Sequence, residues 1–265
     1  MSQIIPKVFY TLCNHFFYED GTRAKFKLES KSISVSDPFV EYLEKEVLIK
    51  LKKIKYIVAP LHISPDLAFY EEENKLDNIF GIEVKTSKNK SGDINFNSTP
   101  PCGKIIIEVD EKEETVSSYY LFVQLSPLDE ENSFEIGTMM LIDGDFINSD
   151  FDLYLEAIGI REKRIDLGSY GDGMDRQRPM FVFPNPLGIS GLRSERSTLI
   201  SKERFGSLEF DDEIGMVAVL NREGKKFFAY QAVRNLNGPF VNVTRSTSTK
   251  IRNKLKIKTK KENTE

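Results

Sequence analysis

The chain has 265 residues, 40% of them apolar and 29% charged, and a net charge of -4. That is enough for one large domain with a substantial core, and too acidic overall for indiscriminate nucleic-acid binding. Two cysteines, Cys13 and Cys102, exclude a disulfide framework or a four-cysteine zinc site from this chain alone.

Residues 1–17 carry one lysine and an aromatic cluster, without the basic start, long apolar centre and cleavage site of a signal peptide. No apolar run reaches the roughly 18 residues of a bilayer span, so no membrane association and a cytoplasmic location are expected. Asp37-Pro38 reads as an N-cap followed by proline at the first helical position. Phe39, Val40, Leu43, Val47 and Leu51 then recur at helical spacings and predict an amphipathic helix over 38–53. Residues 55–60 and 67–70 read as strands, with a break at Ser64-Pro65 between them. The polar run 71–77 reads as a turn and a strand containing Glu83 follows, so the two strands around that turn form a hairpin. Residues 92–103 are a polar loop. Residues 104–109 and 119–125 are further strands, joined by a turn at 111–114. A strand is predicted at 139–142 and a helix at 150–158. Residues 166–194, rich in glycine, proline and arginine, read as a long loop region. Strands near 215–220 and 226–233 form a second hairpin, and the basic tail 250–265 shows no core-forming pattern. No linker interrupts the series, so a single α/β domain over 1–265 is expected.

The charge is uneven. Residues 1–159 hold 16 Lys+Arg and 28 Asp+Glu, whereas residues 160–265 hold 21 and 13. A basic subregion over about 160–255 is therefore suited to face an anion.

Chemistry concentrates in "DNIFGIEVKTSKNK", residues 77–90. Strand residues i and i+2 point the same way. Glu83 and Lys85 therefore share one face, and Ile82 and Val84 pack the other. The charged pair is either a solvent-facing salt bridge or half of a catalytic site. Asp66 stands at the start of the preceding strand, in "SPDLAFY", and lies beside Glu83 if the two strands pair. Two close carboxylates raise each other's pKa unless a cation sits between them. Oxygen ligands of this kind suit Mg2+, which completes its shell with water and phosphate oxygens. Lys85 then orients or helps activate a water, or stabilises charge on a phosphate oxygen.

Pro65-Asp66 followed by Glu83-Val84-Lys85 resembles the PD-(D/E)xK nuclease signature, and the size and loop-rich second half resemble a type II restriction endonuclease. The signature covers about 20 residues, and the broader similarity, with the upstream helix and surrounding strands, covers roughly 38–125. The resemblance implies a restriction-endonuclease-like mixed central sheet flanked by helices. It implies catalytic roles for Asp66, Glu83 and Lys85, with Mg2+ held by Asp66 and Glu83. Some relatives add an acid from the N-terminal helix. Here Glu44, which borders the buried stripe, is the candidate, and a solvated helix glutamate is the alternative. The family also implies a companion DNA methyltransferase that protects host DNA.

Other nuclease chemistries fit less well. Only His15 and His62 are present, and no G-x-x-x-x-G-K-[ST] phosphate loop occurs. For base recognition, Arg176, Gln177 and Arg178 in "GDGMDRQRPM" suit guanine and adenine edges. Asn97, Ser98 and Thr99 follow shortly after the candidate metal site. Arg193, Arg196, Lys250, Arg252 and Lys254 suit phosphates. The expected activity is Mg2+-dependent cleavage of both strands at a short double-stranded DNA site by a homodimer, whose two-fold symmetry matches a palindrome. A repair or recombination nuclease on the same core, and a non-catalytic DNA-binding module, are the alternatives.

Overall fold

Alternating apolar and polar residues fold eleven strands of this chain into one sheet. The computed structural model describes residues 3–18, 22–29, 36–60, 64–71, 78–88, 93–95, 104–109, 111–149, 169–170, 174–175, 180–182, 197–205, 214–222, 224–232 and 241–245. Helix α1 (Ile4–Phe16) and the short strand β1 (Phe26–Lys27) come first. Helix α2 (Ser36–Tyr42) follows, continued by a π turn (Leu43–Val47) and a 3-10 turn (Leu48–Lys50). Strands β2 (Ile54–Val58), β3 (Leu67–Glu71) and β4 (Phe80–Ser87) form an antiparallel meander. Two small ladders stand apart from the main sheet. One joins β5 (Asp93–Asn95) to β11 (Met180–Val182), and the other joins β9 (Ser169–Tyr170) to β10 (Met174–Asp175). The main sheet gains β6 (Lys104–Val109), β7 (Lys112–Pro127) and β8 (Ser133–Asp143) in the middle, then β12 (Thr198–Ser201), β13 (Ile214–Arg222), β14 (Lys225–Ala232) and β15 (Val241–Arg245).

Its order is β15-β13-β14-β12-β8-β7-β4-β3-β2, with β1 added to β8 and β6 to β7, giving eleven strands. Most pairings are antiparallel. The parallel ones are β4 with β7, β8 with β12 and β13 with β15. The sheet is therefore mixed and the chain is of the α/β kind. Among the described residues no helix is long and apolar enough to cross a membrane.

Two apolar layers cover the sheet, and the alternation along β7 sorts residues between them. Tyr119, Leu121, Val123 and Leu125 join Ile82 and Val84 in the layer beneath α1 and α2. Tyr120 and Phe122 join Ile142, Phe146 and Phe227 on the other side. Burying an aliphatic or aromatic side chain of this size contributes about 1.5–3 kcal/mol, so each face holds its register firmly. The α2 end of the first layer is aromatic. Phe16 lies 5.4 Å from Phe26 and 5.9 Å from Phe39, and Phe26 lies 4.8 Å from Tyr42, between ring centroids. This cluster locks α1 against α2, which also packs on β4.

Several elements differ from the sequence expectation for physical reasons. The helix expected over 38–53 ends at Lys50, because Leu51 turns extended and Lys53 takes a φ of 64° to enter β2. The π turn widens the winding by a residue, and the adjacent Val47 and Leu48 are both buried. The turn expected at 111–114 is tighter, with Glu111 at φ 62° and Lys112 already paired with Val109. Residues 112–115 are exposed, so no apolar alternation marked them as strand. Strand β8 is longer than the expected 139–142, for its outer half pairs with β1 and the end of β7. Helical residues 144–149 begin ahead of the expected helix at 150–158, which lies outside the described residues. Helix α1 and strands β1, β5, β9–β12 and β15 are additional to the expected elements. The hairpin of β13 and β14 matches the expected one.

Candidate active site

Asp66 closes the β2–β3 connection. Ala59 N donates to Asp66 O at 2.9 Å, which ties this backbone to the end of β2. The β3–β4 ladder stops at Leu67 opposite Ile82. Just beyond it, Val84 N donates to Asp66 Oδ2 at 2.6 Å, so the carboxylate replaces a strand carbonyl. Ile82 and Val84 are buried, while Glu83 and Lys85 are half-buried on the opposite face. There they stand in register with Tyr120 and Phe122 of β7, at the border of the second apolar layer. Lys85 Nζ donates to Glu83 Oε1 at 2.7 Å, with the two side chains 27% and 14% exposed. Ser64 Oγ donates to Glu83 Oε2 at 2.8 Å. The hairpin has thus brought Asp66, Glu83 and Lys85 together.

Burial, followed by the negative charge of Glu83, pushes the Asp66 carboxyl from its ordinary 3.8 up to about 6. The Val84 N–H and the Lys85 charge pull the other way, and Asp37 adds a further upward push. Neighbouring acids that raise one another's pKa are relieved by a cation between them. All the acceptors are carboxylate oxygens, the donor set of a hard divalent ion such as Mg2+. Among the described residues no group of three or more His, Cys, Asp and Glu is placed to cage a metal. The site thus offers two carboxylates and a lysine, which fits an ion that fills its shell with water and phosphate oxygens.

Glu44 is exposed on the π turn that continues α2. The acid of that helix whose charge reaches Asp66 is Asp37, in its first turn. The sequence suggests Asp37 as an N-cap, whereas the helix begins at Ser36 and holds Asp37 inside its first turn. Ser64 reads in the sequence only as part of a break. His15 belongs to the helix packing. Its Nε2 is 2.9 Å from Tyr42 Oη and its Nδ1 is 2.6 Å from Lys50 Nζ, and burial followed by the Lys50 charge lowers its pKa. His62 and the proposed DNA contacts Asn97, Ser98, Thr99, Arg176, Gln177, Arg178, Arg193, Arg196, Lys250, Arg252 and Lys254 lie outside the described residues. No protein-family model, curated protein or solved structure matches the chain.

Proposed function

We propose that this protein is a Mg2+-dependent endonuclease of the PD-(D/E)xK kind, acting as a type II restriction enzyme on a short double-stranded DNA site. The observation that carries it is the meeting of Asp66, Glu83 and Lys85 across the β3–β4 ladder, with two acids close enough for Glu83 to raise Asp66. The mixed sheet, with β4 antiparallel to β3 and parallel to β7, and helices over the same strands support a restriction-endonuclease-like core.

Bound Mg2+ neutralises charge on a phosphate and lowers the pKa of a bound water. Asp66 and Glu83 would hold it. The Val84 N–H orients the Asp66 carboxylate, and the Ser64 hydroxyl and Lys85 ammonium orient that of Glu83. Lys85 would stand beside the attacked phosphate and orient the attacking water. The basic balance of residues 160–265 supplies phosphate contacts, with Arg176, Gln177 and Arg178 as base readers. A cytoplasmic homodimer would bring one site to each strand, and a DNA methyltransferase would protect the host sequence.

The deciding experiment incubates plasmid DNA with the protein in Mg2+ or in EDTA. Discrete fragments in Mg2+ alone support a restriction enzyme. Cuts confined to branched or damaged substrates would replace it with a repair nuclease. DNA binding without any cleavage would reduce the protein to a binding module.

A further inference from the structure

Ser64 and Asp66 reach the same strand from one tripeptide. Ser64 Oγ donates to Glu83 Oε2 at 2.8 Å, and Asp66 Oδ2 accepts from Val84 N at 2.6 Å. Between them Pro65 is buried, and its ring fixes the backbone φ. The Ala59–Asp66 bond anchors the same segment to β2. Two neighbouring residues of β4 are therefore gripped by two residues of the connection before β3.

Ser64 is exposed, so water could serve both its hydroxyl and Glu83. The bond consequently adds little to folding stability. What it changes is direction. A glutamate has three rotatable bonds and loses much rotamer freedom when held. Here one carboxylate oxygen is held by Lys85 and the other by Ser64. A carboxylate oxygen has two lone pairs, so Oε2 can accept from Ser64 and still face a cation.

We propose that Ser64 is a positioning residue, whose hydroxyl fixes the Glu83 carboxylate at the spacing from Asp66 that a divalent cation needs. This rests on the nuclease reading of the site. Partners that orient a metal's ligands typically change its affinity 10- to 100-fold. An exposed hydroxyl belongs at the lower end.

The test uses Mn2+ alone as the probe, with binding followed by the loss of the free-ion electron paramagnetic resonance signal. Wild type, Ser64→Ala, Ser64→Thr and Glu83→Ala are compared, each with a melting curve and a Mg2+ titration of plasmid cleavage. Ser64→Ala is expected to bind Mn2+ about tenfold more weakly. The Mg2+ needed for half-maximal cleavage should rise by a similar factor, and most of the rate should return at saturating Mg2+. Ser64→Thr keeps the hydroxyl and should restore affinity, while all the Ser64 variants melt as wild type does. Equal Mn2+ affinity in wild type and Ser64→Ala, with Glu83→Ala impaired, would overturn the Ser64 role and leave the nuclease intact. A weakened Ser64→Ala that threonine does not rescue would overturn it too. Wild type that neither binds Mn2+ nor cuts DNA would remove both proposals.

Discussion

Two aspartates of this protein, Asp143 buried and Asp66 half-buried, share a direction of pKa shift and little else. Asp143 ends β8, is 1% exposed, and is raised chiefly by burial. Its Oδ1 accepts from Asp145 N at 2.9 Å and its Oδ2 from Lys202 N at 3.1 Å. It therefore caps helical residues 144–149 and ties them to the residue after β12. The neighbouring acid, Asp145, is paired with Lys202 Nζ at 2.8 Å. Asp66 is also raised chiefly by burial, but the next cause is the repulsion of Glu83. Among the described residues one of its oxygens, Oδ2, is engaged, by Val84. Burial alone thus marks neither residue as functional. Two backbone donors hold Asp143 as a structural clasp, while the Glu83 charge beside Asp66 fits the proposed cation site.

The largest expected effect separates the two in activity. On the proposed reading, Asp66→Ala or Glu83→Ala would remove a ligand of an ion worth several kcal/mol in the transition state. Cleavage should fall by about 10³-fold or more, and Glu83→Ala, which strips no backbone donor of its acceptor, should melt near wild type. Asp143→Ala should show the converse, retaining the metal requirement while losing stability. Two part-buried backbone donors lose their acceptor and a helix loses its cap, for about 1–3 kcal/mol by denaturant unfolding. If Asp143→Ala melts like wild type, or Asp66→Ala cuts like it, the contrast collapses.

Strand-level features of the site were legible because their signal is local. Period-two alternation put Ile82 and Val84 on one face and Glu83 with Lys85 on the other, and the structure has this arrangement. Pairing of the strands on either side of 71–77 followed from their proximity in sequence. Asp143 was not noticed, since a lone aspartate after an apolar run looks the same whether it caps a helix or faces water. Helix α1 could have been found. Ile4, Ile5, Val8, Phe9, Leu12, Cys13 and Phe16 recur at helical spacing. Asp37 and Ser64 act through contacts that only the packing of α2 and the β2–β3 connection create. Polar strands such as 112–115 were lost because neither face meets a core.

A third comparison uses pH. In metal-free buffer the folded chain holds the Asp66 proton more tightly than the unfolded chain does, since its carboxyl is raised from 3.8 to about 6. The native state then binds more protons between about pH 4 and 6. The resulting stability is complete below that window and is lost as pH rises through 6. The full shift corresponds to at most about 3 kcal/mol, and partial exposure of the group reduces the expected effect to about half of that. Asp66→Asn has no proton to lose, so its stability relative to wild type should climb from pH 4 to 7 and then level. Mg2+ at pH 7 should raise the melting temperature of wild type more than that of Asp66→Asn. Parallel pH curves for the two proteins would show that folding does not raise the Asp66 carboxyl.

The smallest expected effect concerns which acid of the α2 region feels the site. Glu44 follows the apolar stripe in sequence but is exposed, and no influence of it on Asp66 is resolved. Asp37 lies in the first turn of α2, and its charge is the last of the five influences on Asp66, after burial, Glu83, the Val84 N–H and Lys85. Removing it should therefore lower the Asp66 pKa, and by less than removing Glu83 does. Carboxyl-carbon NMR titrations of wild type, Asp37→Asn, Glu44→Gln and Glu83→Gln would rank the three. The expected order is a clear drop for Glu83→Gln, a smaller drop for Asp37→Asn and no change for Glu44→Gln. A drop with Glu44→Gln and none with Asp37→Asn would move the third acid from the start of α2 to the π turn. Asp143 provides the internal control. Its raising neighbour is Asp145, and its lowering influences are Lys202 and two backbone donors, so its titration should be the same in all four proteins.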